Sequence, residues 1–442
     1  MEIKELQKIM QENGVVGAGG AGFPTYAKLT DKADTILMNC AECEPLLKLH
    51  RQLLEKHAYE IMKTFHLVAE TVGASEAIIG IKKSYVQTVK ALQQHIEEFP
   101  NMRIHLLEEV YPMGDEVVLI YEATGRVVRP GGLPIEQGVA VFNVETIYNV
   151  YRAVEKQCPV TDKYVSVVAE VSNPVTVRVP LGCTLDEVVA QAGDITIKDP
   201  VYFVGGPMMG RIGNGSDPVT KTTNAILVLP KDHPIVMKKL RTSSIDLKRA
   251  ASICCQCNTC TDLCPRNNLG HPIDPARFMR AASNNDFRDL NPYLDASFCS
   301  SCGVCEMYSC PQSLAPRSLL ADMKGGLRAA GVRPPQGVQA APVKPSREYR
   351  KVPEERLMAR LALTKYDKDA PMDETLVAVP KVKVLLSQHI GAPAQAIVSA
   401  GDEVTRGQMI AKPANGLSVG IHATICGKVT EVTDRHIIIA AK

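Results

Sequence analysis

The sequence predicts a multidomain protein of mixed α/β and α+β class. Three observations carry that expectation. Helical and strand-like patterns alternate through roughly the first 155 residues, as in a sheet with crossover helices. Strand-rich sequence with glycine turns recurs twice, from Tyr164 to Leu229 and from about Pro380 onward. Between them, nine of the 14 cysteines are gathered between Cys254 and Cys310. A chain of 442 residues has room for about three or four domains.

The first domain, residues 1–157, opens on "MEIKELQKIMQEN", whose Ile3, Leu6, Ile9 and Met10 fall on one helical face. Such a helix is expected to pack on its own domain. "EIMKTFHLVAETVG" and "YVQTVKALQQHIEEF" read as further helices, "EAIIGI" and "RIHLLEEV" as strands. Residues 158–235 form a β-grasp-like module, with strands "YVSVVAEV", "TVRVP", "VYFVGG" and "AILVLP" interrupted by the helix "TLDEVVAQAG". Residues 240–330 hold the cysteines among short helices such as "DPARFMRAA". Residues 331–372 read as a linker, because "RPPQGVQAAPVKPSREYR" is rich in Pro, Ala and Gly and lacks periodicity. Residues 373–442 are again β. There "GDEVTRGQMIA" and "ATICGKV" resemble the two halves of a barrel-sandwich domain of the lipoyl/biotinyl type. Its expected tip, "PANGLS", has no lysine to modify, which implies a docking module without a swinging arm.

Composition excludes some classes. The formal charge is +2 with no block of Lys and Arg, so nothing marks a nucleic-acid partner. No apolar run approaches the ~18 residues of a transmembrane span. The start carries Glu2, Glu5 and Glu12 and no secretory signal, so the expected location is the cytoplasm. In that compartment clustered cysteines point to metal or redox chemistry and away from disulfides.

"CCQCNTCTDLCP" spaces Cys254, Cys257, Cys260 and Cys264-Pro as a bacterial [4Fe–4S] run. "CSSCGVCEMYSCP" repeats it with Cys299, Cys302, Cys305 and Cys310-Pro, one residue longer before its last cysteine. Three thiolates on a tight loop ligate one cube, and the fourth points away to the other. Cys254, Cys257, Cys260 and Cys310 are thus expected to hold one cluster, and Cys264, Cys299, Cys302 and Cys305 the second. Paired zinc sites are the bland alternative, but two triples plus two distal Cys-Pro steps favour iron–sulfur. Cys255 is surplus and reads as a buried bystander. Cys158, Cys183 and Cys426 carry no signal beyond packing.

Two clusters make an electron conduit, and a hydride donor would need a flavin to feed it. "GVVGAGGAGFPT" bears on this. Gly17, Gly19 and Gly22 satisfy G-x-G-x-x-G, and Glu42 lies near the expected acidic position. A helix precedes the loop where a dinucleotide fold would place a strand, which argues against a plain Rossmann reading.

"GAGGAGFPT" followed by Lys28, then "NCAECEP", "YPMGDE" and "FNVETI", resemble the flavin-binding subunit of respiratory NADH dehydrogenase and the C subunit of the Rnf complex. The resemblance implies that Gly17, Gly19, Gly20, Gly22, Lys28, Asn39, Glu42, Gly114, Glu116, Asn143 and Thr146 meet FMN. It also implies that Phe23, Glu44 and Tyr111 line the site for NADH. Ala18, Ala41 and Phe142 depart from the family pattern, which bears on NADH use. "VGGPMMG" and "DPVTKTTNAIL" match the Rnf β-grasp module, with Met208 and Met209 expected as packing residues. Because the barrel-sandwich comes last, the order of parts resembles the cobalamin reductase family of propanediol-utilization microcompartments. That resemblance implies an oxidoreductase passing electrons from NADH through FMN and two [4Fe–4S] clusters to cobalamin. It also implies a cobalamin-handling partner such as an adenosyltransferase, a microcompartment shell or redox partner, and no general acid or base. An Rnf-C-like donor to another reductase or membrane complex, and an NADH-independent carrier, are the alternatives.

Overall fold

A computed structural model describes residues 1–442. Its first unit is a parallel four-stranded sheet. In chain order it runs α1 (Ile3–Glu12), β1 (Thr35–Cys40), α2 (Leu49–Lys56), α3 (Ala58–Val72), β2 (Glu76–Lys82), α4 (Val86–Gln93), β3 (Met102–Leu107), β4 (Val110–Tyr111), α5 (Glu116–Thr124), β5 (Val139–Asn143) and α6 (Val144–Glu155). The sheet order is β3-β2-β1-β5, every pair parallel. Strands β1 and β5 are almost wholly buried, as expected where helices cover both faces. Two helix starts carry side-chain caps. Asp115 caps α5 by accepting from Val117 and Val118 N–H, and Asn143 caps α6 by accepting from Glu145 and Thr146 N–H.

The second unit is a mixed sheet built from β6 (Asp162–Ala169), β7 (Val175–Pro180), α7 (Leu185–Val189), β8 (Pro200–Val204), β9 (Arg211–Gly213) and β10 (Ala225–Pro230). Thr184 and Glu187 close a reciprocal capping box at the start of α7. Helices at Ser243–Ile253, Pro275–Ser283 and Pro316–Ala329 frame the cysteine loops around a separate apolar cluster that includes Phe278, Met279, Leu319 and Leu320.

The stretch 331–372 is more than a tether. Ala341 N–H donates to Gly270 O, and Lys344 N–H to Asn268 O. Then β11 (Val352–Pro353) pairs antiparallel with β4, and a helix follows at Glu354–Arg360. Immediately beyond, β12 (Met372–Leu376) adds to the edge of the second unit beside β7, giving the order β12-β7-β6-β10-β8-β9. The chain from 331 to 376 straps three units together.

The last unit stacks a four-stranded sheet (Lys381–Leu385, His436–Ala441, Gly427–Val432, Glu403–Val404) near a three-stranded one (Gln395–Ala396, Met409–Lys412, Ile421–His422). A single cluster of 61 buried apolar residues runs from Leu6 and Met10 through Val165 and Val177 to Ile437 and Ile439. The first, second and last units therefore share one core. No helix is long and apolar enough to cross a membrane.

Candidate functional site

The strand order β3-β2-β1-β5 reverses between β1 and β5, which places a switch point there. In open α/β sheets ligands bind in the crevice at that point. Asn39–Glu44 leave β1 there, Asn143–Thr146 leave β5 there, and the glycine loop lies across both. Ala18 N–H donates to Thr146 Oγ1 at 3.0 Å, and Gly19 packs against Asn143 Nδ2. The missing upstream strand is thus no obstacle. The loop reaches the switch point from α1, outside the sheet.

The expected residues form one continuous set of contacts. Asn39 Nδ2 donates to Gly114 O at 2.9 Å, while its Oδ1 accepts from Ala41 N–H, tying the 39–44 and 111–116 segments. A Cβ on Gly114 would sit 2.6 Å from Ala41 O, so only glycine allows that approach. Lys28 Nζ donates to Val141 O at 2.8 Å and lies 3.5 Å from Glu116. Phe23 O accepts from Gly17 N–H, closing the loop's base. Asn39, Asn143 and Thr146, residues the resemblance assigned to cofactor contact, thus brace the crevice walls.

What remains free for an anionic ligand is backbone. The N–H groups of Gly19, Gly20, Ala21 and Gly22 find no acceptor in the chain, and a Cβ on Gly20 would meet nothing within 4 Å. Unpaired N–H groups on a glycine turn with a lysine nearby suit a phosphate. The residues present fit FMN in that sense. Gly22 has a similar φ, +69°, but differs in its surroundings: a Cβ there would press on Thr222 Cγ2 at 3.0 Å and Gln388 O at 3.1 Å. Gly14, at φ +71°, likewise abuts Gly420 O and Lys221 Nζ. Those two glycines answer to packing against the second and last units.

Glu44 is engaged. Its carboxylate accepts from the N–H groups of Met208 and Met209 at 2.8 and 2.9 Å, and a Cβ on Gly206 would overlap it. Burial pushes this carboxyl up to about 7. The "VGGPMMG" turn is therefore shaped around Glu44. Met208 is buried as expected, but Met209 is half exposed.

Glu42 belongs to a buried network that composition and spacing did not reveal. Its side chain accepts from His50 N–H at 3.0 Å, and burial pushes its carboxyl up to about 7. His50 lies between Glu42 and Glu145, and Glu145 pairs with Lys163.

Tyr111 joins the crevice to the cysteines. Its hydroxyl donates to Cys302 O at 2.6 Å. Arg266, beside Cys264, pairs with the α5 cap Asp115 at 2.9 Å. Cys264, Cys299, Cys302 and Cys305 line one cavity of about 20 Å³, with Arg266 and Arg317 on its wall. Cys254, Cys257, Cys260 and Cys310 line another of about 270 Å³. The fold thus gathers the thiols in the crosswise sets that the spacing suggested. No three of them approach closely enough to share a single ion. At the second set, four thiols edging about 270 Å³ suit a cluster better than a single zinc ion. Burial pushes the Cys260 and Cys264 thiols up to about 12, so they need a metal to ionise at neutral pH. In the set with Cys302, Cys264 and Cys305 are buried and Cys299 and Cys302 half-buried, whereas Cys257 of the other set is exposed. Cys255 is exposed too, contrary to the buried bystander expected, because its loop faces outward at the cavity mouth.

Comparison with known proteins identifies the domains. Sequence profiles match the Nuo51 FMN-binding domain over residues 10–152, a 4Fe-4S dicluster domain over 253–315 and the RnfC barrel sandwich hybrid domain over 364–442. Cobalamin reductase PduS of Salmonella typhimurium is 41% identical over 98% of this chain and 96% of its own. That of Citrobacter freundii is 40% identical over 99% and 97%. The C subunit of the Na(+)-translocating ferredoxin:NAD(+) oxidoreductase complex of Acetobacterium woodii is 31% identical over 60% of this chain and 58% of its own. In fold the chain is similar to a chain of an NAD+-reducing [NiFe]-hydrogenase, with TM-score 0.51 and 21% identity, over 76% of this chain and 64% of that one. The cofactors are FMN and [4Fe–4S] clusters, and the protein is an oxidoreductase. With two near-full-length relatives above 30% identity, the chain belongs to the cobalamin reductase PduS family.

Proposed function

We propose that the chain takes a hydride from NADH at the switch-point crevice and delivers single electrons to cobalamin, entering at the buried cysteine set and leaving from the exposed one. The Tyr111–Cys302 hydrogen bond carries this reading, since it joins the crevice directly to the buried set. FMN, when bound, supplies the conversion of an electron pair into single electrons. The chain's own residues do the positioning. The free N–H groups of residues 19–22 hold an anionic group, and Asn39, Asn143 and Thr146 keep the walls rigid. Arg266 ties the cysteine loop to α5, and its charge favours thiolate there. Cys264, Cys299, Cys302 and Cys305 would ligate the first cluster. Cys254, Cys257, Cys260 and Cys310 would ligate the second, and the exposure of their loop makes it the exit. Cobalamin as acceptor rests on the name of the two near-full-length relatives. Hand-over to a cobalamin-handling enzyme such as an adenosyltransferase, and residence in a microcompartment, belong to the same proposal.

An anaerobic NADH titration of the FMN- and iron-loaded protein, read at flavin and cluster wavelengths together, tests the order. Both chromophores should bleach. Cys302→Ser should keep flavin bleaching and lose cobalamin reduction. Undiminished cobalamin reduction by Cys302→Ser would refute the route, and dithionite-only bleaching would refute entry from NADH.

A further inference from the structure

The buried group behind the crevice is arranged as a chain of proton-accepting atoms. His50, on α2, has a carboxylate at each ring nitrogen: Glu42 Oε1 is 3.6 Å from Nδ1, and Glu145 Oε2 is 3.9 Å from Nε2. Glu145 pairs in turn with Lys163 on β6. The side chains of all four are at most 9% exposed. Asn143 connects them to the crevice, its Nδ2 lying 3.4 Å from the His50 ring and beside Gly19. A purely structural pair would need one cation for one anion. Here an imidazole is interposed between two acids.

Other charges facing the group come from every neighbouring element. Arg51 and Lys82 face Glu42. Tyr85 donates to Glu42 O, Asp162 faces Glu145, and Lys82 is itself paired with Glu354. Burial and the Lys163 charge push the His50 imidazole down to about 3, so it stands neutral between the two acids.

We propose that the Glu42–His50–Glu145 relay takes up the proton left at the crevice when an electron pair from NADH departs as two single electrons. The inference rests on the flavin reading above. One NADH yields NAD+, two electrons and one proton. The electrons leave by the cysteine sets to two molecules of a one-electron acceptor. The proton is taken by the Glu42 carboxylate beside the His50 ring, and it is released to water before the next hydride arrives. His50 is the positioning residue that sets which acid holds the proton.

The test is a single turnover of the FMN- and cluster-loaded protein with one equivalent of NADH, followed by stopped flow with a pH-indicator dye, together with a reduced-minus-oxidised infrared difference spectrum. In the wild type, proton appearance should lag electron transfer, and a carboxyl band should change on reduction. His50→Gln should shorten the lag at least 3-fold, and Glu42→Gln should lose the carboxyl band. Glu145→Gln should also shorten the lag, which keeps the test decisive if His50→Gln does not fold. A wild type with neither lag nor carboxyl change overturns the relay, even where NADH bleaches the flavin. Unchanged lags in both folded variants do the same. Failure of NADH to bleach the flavin at all overturns the flavin reading, and the relay with it.

Discussion

Gly20 and Gly22 stand two residues apart in one loop, both at positive φ, yet they should respond differently to a methyl group. At Gly20 the added Cβ meets open space, so Gly20→Ala carries only backbone strain of about 1 kcal/mol. It should leave the urea midpoint nearly unchanged while weakening FMN binding, measured by quenching of flavin fluorescence. At Gly22 strain combines with contacts on Thr222 and Gln388, and Gly22→Ala should destabilise by about 2–3 kcal/mol. Equal loss of stability in both variants would contradict this division of roles. The motif G-x-G-x-x-G was legible in the sequence, but this division was not. The atoms that demand glycine at position 22 lie some 200 and 366 residues downstream. The buried carboxyls supply a second residue-scale prediction. Glu42 has its folded pKa raised to about 7 from an ordinary value of 4.5, so the folded chain holds this proton more tightly. Its contribution to stability is fully present below about pH 4.5 and is lost as pH rises through 7. Unfolding free energy should fall by roughly 3 kcal/mol across that window on this account, and Glu42→Gln should flatten the profile. Glu44 acts with the same sign. A wild-type profile that rises from pH 5 to 8 in chemical denaturation, with Glu42→Gln superimposed on it, would contradict the assignment.

At the scale of elements, legibility followed the range of the interactions. Helices and strands with strong periodicity stand where the pattern put them, from α1 and α3 to β10. The crossed cysteine sets were legible because loop spacing alone decides which thiols can share a cube. The stretch from 331 to 372 was not, since its structure is made by partners elsewhere. Pro and Ala give no period, and β11 exists only because β4 offers two residues to pair with. The same strand pairing holds Tyr111, opposite Val352, at the junction between crevice and cysteines. Gly270 anchors the strap: its φ is +84°, and a Cβ there would lie far inside contact distance of Ala341 O. Gly270→Ala should therefore detach the strap near its start. Flavin bleaching by NADH should persist, whereas cluster bleaching should slow several-fold in stopped flow because Tyr111 loses its register. Unaltered cluster bleaching in a folded Gly270→Ala protein would show that the strap does not set that junction.

At the scale of the whole molecule, three units meet on one buried carboxylate. Asp162 on β6 accepts from Arg152 of α6, Arg178 of β7 and Arg406 of the last unit, so one side chain binds flavin domain, β-grasp and barrel. Those guanidiniums hold its carboxyl well below the usual range despite burial. A depressed folded pKa contributes stability that is present above the unfolded value near 3.8 and is lost as pH falls through the folded one. Acid should thus loosen this junction, the opposite sense to Glu42. Asp162→Asn would leave Arg152 and Arg178 without their partner and should cost about 3–5 kcal/mol. The consequence reaches the crevice by a definite path. Arg406 releases the barrel, the barrel carries Gln388 and His389 away from Gly22, and Gly420 leaves its hydrogen bond with Gln11 O on α1. The glycine loop then loses the packing that fixes its free N–H groups. Asp162→Asn should accordingly release FMN and expose the 380–442 segment to limited proteolysis at temperatures where the cysteine domain, with its own apolar cluster, still holds iron. If Asp162→Asn lowers the melting temperature but keeps FMN and the wild-type proteolysis pattern, the barrel does not brace the loop, and its place in the shared core serves stability alone.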